Sequence, residues 1–437
     1  MRIFRAAAIG SILILALAGI FNAQLSSTDP GVRSGLAVGG PLNGLSTGQL
    51  AAFSNGADDF NTAHSVDGSI PGADATGLGP VFNLDNCGGC HGFPAVGGTS
   101  PALNPQIAMA TAAGANNTVP GFLTLHGPIR EVRFISKPDG SPDGGVHAIF
   151  TIEGRRDAHG CHLPQPDFAS EERRGNLIFR IPTPVFGDGL IENIPDAAIL
   201  ANKQANGSLK TQLGIRGHEN RTGQDGTITR FGWKAQNPSL AVFSGEAYNV
   251  EMGVTNELFA QERDQTPKCQ FNPTPEDHPD FDAGEGTGVA NFTNFMRFAA
   301  PPTPAPDTKS IVNGRALFAS IGCNLCHTQT LKTAPSDFTA LSQKPVNLFS
   351  DLLVHDMGSG LADHVSQGTA SGTEFRTAPL WGLGQRIFML HDGRTSDVKA
   401  AIFAHRSPGS EANSTVDFFE RLAIPLQQDL LNFLRSL

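Results

Sequence analysis

Two short stretches constrain this chain more than anything else in it. "GPVFNLDNCGGCHGFPAV", starting at Gly79, sets Cys87 and Cys90 three residues apart with His91 immediately after. "ASIGCNLCHTQT" repeats the arrangement with Cys323, Cys326 and His327. Three chemistries fit a Cys-X-X-Cys pair: zinc binding, thiol–disulfide exchange and covalent haem attachment. A four-cysteine zinc site does not need the adjacent histidines. Neither does a redox pair, and the thioredoxin-like βαβ pattern is missing. Haem attachment uses every residue: two thioethers grip the vinyl edges of the porphyrin, and the next side chain offers its imidazole to the iron. One such motif arises by accident on the order of 0.002 times in a chain of this make-up, so two are not accidental. The sequence predicts two covalently bound c-type haems, with His91 and His327 as their proximal ligands.

The chain begins "MRIFRAAAIGSILILALAGIFNAQ". Arg2 and Arg5, an apolar run and the small residue Ala23 make a secretory signal peptide over residues 1–23. The run is short for a membrane anchor, and no cysteine follows it to take a lipid. Export to the periplasm suits both the thioether chemistry and the two remaining cysteines. Cys161 and Cys269 are expected to form a disulfide in an oxidising compartment. His162 follows Cys161, but no cysteine stands three residues before that one, so no third haem site is expected. The net charge of -10 argues against nucleic acid as a partner.

Within 437 residues the two motifs are 236 apart, more than one cytochrome c domain requires. "VNGRALFASIGC" places Val312, Ala316, Leu317 and Ile321 near one helical face, with Gly314 allowing close helix contact. "LQQDLLNFLRSL" carries Leu426, Leu430, Phe433, Leu434 and Leu437 on another, behind Pro425 at a helix start. Two such helices crossing around a haem make a minimal cytochrome c domain. Between the motifs, "EVRFI" from Glu131 and "VHAIFTIEG" from Val146 flank the turn-former "KPDGSPDGG", which predicts a β-hairpin. Asp196 to Gln204 reads as a helix. "AAPPTPAPDT" from Ala299 reads as a linker. The expected fold is mainly α: two cytochrome c-like domains, residues 24–298 and 309–437, joined by the proline-rich stretch 299–308. The first holds an inserted, loop-rich segment containing the small β-hairpin.

Seven segments together carry a family resemblance: "GLGPVFNLDNCGGCH", "GDGLIENIPD", "RFGWKAQNPSL", "FMRFAAPPTP", "LLVHDMGSGLAD", "FRTAPLWGLG" and "LHDGR". They span Gly77 to Arg394 and resemble the bacterial di-haem oxidoreductases, distant relatives of the di-haem cytochrome c peroxidases. The resemblance implies a tryptophan between the haems, which Trp233 matches. It implies an acid over the open face of the N-terminal haem, which Glu251 matches. Ala241 stands near the place of the peroxidases' distal glutamine. Thr377 and Pro379 match the carbonyl donors of an inter-haem calcium, for which backbone oxygens suit a hard cation. Splitting peroxide requires a group that moves a proton between its oxygens, and a carboxylate such as Glu251 can do this.

The distal ligand of the C-terminal haem has two candidates, Met357 and His405. Relatives place it about 14 residues after the histidine of "HDG", and His391 begins "HDGR" here, which favours His405. "SDVKAAIFAHR" supports that choice: Ser396 can cap a helix on which Val398, Ala401, Ile402 and His405 share a face. His126 is a weaker candidate for a sixth ligand on the N-terminal haem. The expected activity follows from the resemblance. A soluble donor, a small cytochrome or copper protein, reduces the C-terminal haem, and the N-terminal haem reduces an oxidant such as hydrogen peroxide. No nucleic acid and no stable membrane insertion are expected. The rival readings are a di-haem electron-transfer cytochrome without catalysis, and a haem enzyme that oxidises a partner substrate.

Overall fold

The architecture is built from two helix pairs, each closed across a glycine. It was obtained as a computed structural model that describes residues 26–35, 37–222, 225–281 and 286–437. The expected signal peptide lies outside the described residues. In the C-terminal pair, Lys309–Ser320 is capped by Thr308, whose hydroxyl accepts from the Ile311 amide at 3.3 Å. It crosses Ile424–Ser436, which has Pro425 in its first turn. A Cβ on Gly314 would fall 2.0 Å from the Asp429 carbonyl oxygen, so only glycine permits this approach.

That crossing sets which face is buried, and it corrects the expected stripe. Ile311, Gly314 and Phe318 are buried, whereas Val312 is 49% exposed and Ala316 is also exposed. On the C-terminal helix Leu430, Phe433, Leu434 and Leu437 are buried as expected, but Leu426 is 39% exposed. Leu431 is buried instead. It lies in the row Gln427, Leu431, Arg435, at i, i+4, i+8. Residues near the N-terminus bond to both ends of that row: Ser27 Oγ donates to Gln427 Oε1 at 2.7 Å, and Arg435 pairs with Asp29 at 2.6 Å.

The N-terminal pair was not foreseen from sequence. Thr47–Asn61 opens with a capping box between Ser46 and Gln49 and packs on Gly288–Phe298. A Cβ on Gly56 would meet the Asn291 carbonyl at 2.3 Å. Phe53 and Phe60 pack on Phe295 with ring centroids 5.5 and 4.9 Å apart.

Between the pairs, Glu131–Phe134 and Val146–His147 form the expected hairpin, with Val132 opposite His147. A third strand, Leu177–Arg180, joins its other edge and sets Glu131 opposite Arg180. The helix Asp196–Gln204 has the expected bounds. Cys161 and Cys269 are disulfide-bonded, as expected. The chain is thus mainly helical with a few small sheets. The stretch after Phe298 contains no regular element up to Lys309 and is tied down along its length. The Ala300 amide donates to Gly40, and the Ala305 amide to Ser436. Two large apolar clusters result, and Leu331, Leu341 and Leu348 join the larger one despite following the proline-rich stretch. No helix among the described residues is long and apolar enough to cross a membrane.

The Gly314 contact is testable. Gly314→Ala is expected to lower holoprotein stability by about 2 kcal/mol, within the usual cost of overpacking. Val312→Ala is expected to stay within about 0.5 kcal/mol, as for exposed sites. Urea denaturation followed by circular dichroism compares the two, and equal effects would contradict the crossing.

Candidate functional site

Each cysteine–histidine motif forms a tight turn against the first, or front, helix of one pair: the second follows Lys309–Ser320 directly, and the first, remote in sequence from Thr47–Asn61, packs on its last residue, Asn61. At the first, Asn86 caps Cys87–Cys90 by accepting from the Gly89 amide at 2.6 Å. The intervening glycines are required by crowding: a Cβ on Gly88 would fall 2.1 Å from Asn61 Oδ1, and one on Gly89 2.3 Å from Leu84 Cδ2. At the second, Cys323–Leu325 forms a single 3₁₀ turn and the His327 amide donates to Cys323. Both histidines are oriented alike. His91 Nδ1 lies 3.0 Å from the Gly98 carbonyl and His327 Nδ1 lies 3.0 Å from that of Phe349. This leaves each Nε2 as the lone-pair nitrogen. Burial pushes both imidazoles down to about 4, so they are neutral and able to ligate.

The thiols discriminate among the three chemistries. All four motif cysteines are free. Burial pushes Cys87 and Cys323 up to about 12, the opposite of what a nucleophilic redox thiol requires. Among the described residues no group of three or more His, Cys, Asp and Glu side chains is set to hold a metal ion. Both turns fit haem instead: each borders an apolar-walled cavity, of about 150 Å³ at the first motif and about 240 Å³ at the second.

The second cavity gathers His327, His405 and Met357. His405 follows Val398–Ala404, and the helix is capped by Asp397 rather than Ser396, through a 2.8 Å bond from the Ala400 amide. Asp397 is the better acceptor at that place because its carboxylate also favours the positive pole of the helix. His405 Nδ1 lies 2.7 Å from the Ala401 carbonyl, and its charge would depress the basicity of His327. The two imidazoles line the same cavity. His391 also lines this cavity, but its ring is stacked on Phe375 at 4.2 Å. His355 lies between Asp351 at 3.0 Å and Glu411 at 2.8 Å, beside Cys326. Burial works against its charged form, yet the Cys326 sulfur and the Asp351 carboxylate outweigh it and raise its pKa.

Trp233 lines both cavities, together with Ile181 and Pro182. Its Nε1 donates to the Ile181 carbonyl at 2.8 Å. Glu251, near the end of Leu240–Met252, lines the first cavity. Asn83 Nδ2 donates to its Oε2 at 2.7 Å. Burial first, and then the charge of Glu131, push Glu251 up to about 8. Glu131 meets the same burial, but Arg133 and Arg180 hold it below the ordinary carboxylate range. Its Oε1 accepts from Arg133 Nε at 2.5 Å. The two carboxyl groups hydrogen-bond to each other, so the pair holds one proton over a wide pH range.

Sequence reading missed Glu131, Arg133, Gln106 and Gln236, all of which line the first cavity. From sequence Glu131 and Arg133 read only as strand residues; their charge in a short half-buried strand is the available signal. Ala241 does not line this cavity. His126 is exposed and lines neither cavity, which removes it as a ligand. Thr377 and Pro379 do not fit calcium. The Thr377 carbonyl accepts from Ser350 Oγ at 2.5 Å, and the Pro379 carbonyl accepts from the Arg386 guanidinium at 2.8 Å. A fixed positive charge on that oxygen repels a divalent cation.

A family model described as "Di-haem oxidoreductase, putative peroxidase" matches residues 137–437. The matched region contains the second motif, Trp233, Glu251 and His405, and begins after the first motif. No curated protein shows a significant match. Among solved structures, hydrazine synthase of Kuenenia stuttgartiensis is similar over 99% of this chain and 100% of its own, at 14% identity and a TM-score of 0.38. The diheme peroxidase BthA of Burkholderia thailandensis E264 is similar over 71% and 93%, at 15% identity and 0.31. A MauG-like protein associated with microbial copper homeostasis is similar over 56% and 89%, at 15% identity and 0.28. The family match covers most of the chain, and by it the chain belongs to the di-haem oxidoreductase family.

Proposed function

We propose that this is an exported, periplasmic di-haem oxidoreductase of the peroxidase type, with covalent haem c at both motifs. Electrons from a small cytochrome or copper protein enter at the C-terminal site and are delivered to a small oxidant such as hydrogen peroxide at the N-terminal site. The observation that carries the reading is an asymmetry. The C-terminal cavity is lined by a second imidazole, His405, besides His327, whereas among the described residues His91 is the only imidazole lining the N-terminal cavity. A site with two axial ligands suits electron transfer, and a site with one suits substrate binding.

Haem at each motif supplies a one-electron iron centre. The residues around the N-terminal one supply proton handling. Glu131, held ionised by Arg133, can accept a proton from an oxidant, and Glu251 can deliver one, so the pair works as base and acid without a net change. Gln106 and Gln236 add amide groups to the same cavity. Trp233 provides an aromatic side chain between the sites, oriented by its bond to Ile181. Peroxide turnover with a reduced cytochrome, assayed before and after pre-reduction, tests the reading. Two low-spin haems and no turnover in either state would favour a simple electron carrier.

Four outcomes are expected. Glu251→Gln keeps both haem spectra and lowers peroxide turnover about 10²-fold, the usual worth of acid–base help. Because Glu251 carries its proton below about 8, wild-type turnover falls as pH rises through that value. Glu251→Gln lacks this limb; an unchanged profile makes Glu251 structural. His405→Ala turns the C-terminal haem high-spin by electron paramagnetic resonance, and Met357→Ala leaves it low-spin; the reverse pattern reassigns the ligand. Trp233→Phe slows electron transfer between the sites in stopped-flow measurements while leaving both spectra intact.

A further inference from the structure

We propose that Arg376 and Arg386 form a receptor for the haem propionates of the C-terminal site, which rests on the reading that haem is attached at Cys323 and Cys326. Both guanidiniums line that cavity. Arg376 is 8% exposed, and its Nε donates to the Gly232 carbonyl at 2.9 Å. Arg386 donates to the carbonyls of Pro379 at 2.8 Å and Trp381 at 3.1 Å, and its Nε is buried without a partner. Among the described residues neither has a carboxylate within ion-pair distance.

Most other buried cations differ; Lys210, held by the carbonyls of Asn202 and Lys203, is an exception. Arg180 and Lys234 pair with Asp363 at 2.7 and 2.9 Å, Arg155 with Asp157 at 2.8 Å, and Arg435 with Asp29 at 2.6 Å. Arg376 and Arg386 instead repel one another. Asp188 acts on Arg376 from beyond ion-pair range; it is itself buried and pushed up to about 7, so it is a weak counter-ion. Two buried like charges without a counter-ion are costly unless an anion joins them. Haem brings two carboxylates, at the edge opposite its thioethers, and the planar guanidinium fork matches a carboxylate. Near Cys326 the charges are of the other kind: Asp351 and Glu411 gather there around His355. The two arginines are tied instead to carbonyls at Gly232, Pro379 and Trp381.

Resonance Raman spectra of the holoprotein, recorded with the C-terminal haem selectively reduced, test this in ordinary and heavy water. The propionate bending bands of the wild type are expected to shift on deuteration, because they are hydrogen-bonded to N–H groups. In Arg386→Leu and Arg376→Leu they are expected to move toward weaker hydrogen bonding, and Arg386→Lys is expected to restore part of the shift. Loss of a positive charge favours the oxidised iron. The reduction equilibrium of this haem therefore falls about tenfold or more in the leucine variants, about 59 mV for one electron, while that of the N-terminal haem holds. Wild-type bands insensitive to deuterium, or bands unchanged in both leucine variants, would overturn the proposal; the first needs no variant. A holoprotein whose Cys323–Cys326 peptide carries no haem mass would overturn the underlying reading instead.

Discussion

A buried triad of charges holds together the wall on which both cavities depend. Asp363 pairs with Arg180 at 2.7 Å and with Lys234 at 2.9 Å, and all three side chains are almost wholly inaccessible. Arg180 ends a strand of the inserted sheet and lines the first cavity. Lys234 follows Trp233 directly. Its ammonium donates to the carbonyls of Ser371 and Glu374 and sits 4.0 Å over the Phe375 ring. Phe375 in turn stacks on His391, which lines the second cavity. Removing Asp363 would leave two uncompensated cations, a loss of about 3–5 kcal/mol for buried pairs. The triad therefore fixes Trp233 by its neighbours on either side of the wall, and the 2.8 Å bond to Ile181 fixes the indole itself.

On either side of that wall the same framework supports different chemistry. Each motif is pressed against a front helix, each front helix crosses a partner at a glycine, and each motif histidine is held through Nδ1 by a carbonyl. The first cavity is furnished with charge: Glu131, Glu251, Arg133 and Arg180. The inserted sheet supplies three of these four, so the segment that separates the motifs in sequence is also what makes the N-terminal site different. The second cavity is mostly apolar and holds His405, with Arg376 and Arg386 as its uncompensated charges. Burial sets the protonation on both sides. It keeps His91 and His327 neutral and the thiols of Cys87 and Cys323 protonated, and raises both glutamates, of which Arg133 and Arg180 hold Glu131 down as the carboxylate.

Much of the local structure was legible because it depends on few residues close in sequence. The hairpin, the helix Asp196–Gln204, the glycine approach at Gly314 and the disulfide pair follow from turn chemistry, periodicity and redox compartment. The errors share one cause. Val312 and Leu426 are apolar and fall on a plausible stripe, but Gly314 rotates the contact face away from the first. Residues 27–29 draw the Leu431 row inward instead of the second. Helical periodicity gives a stripe; the partner selects which stripe is buried.

The sequence by itself determined that two cysteines and a histidine stand together twice at fixed spacing, because a three-residue interval is a local geometry. It also determined which residue types were available for the site. Only the tertiary structure decided that Glu131 meets Glu251, 120 residues away, that Trp233 stands in the wall of both cavities, and that Arg386 takes the Pro379 carbonyl. Protonation, pairing and desolvation are set by what lies within a few ångströms in space. In this chain those neighbours come from segments that no local pattern connects.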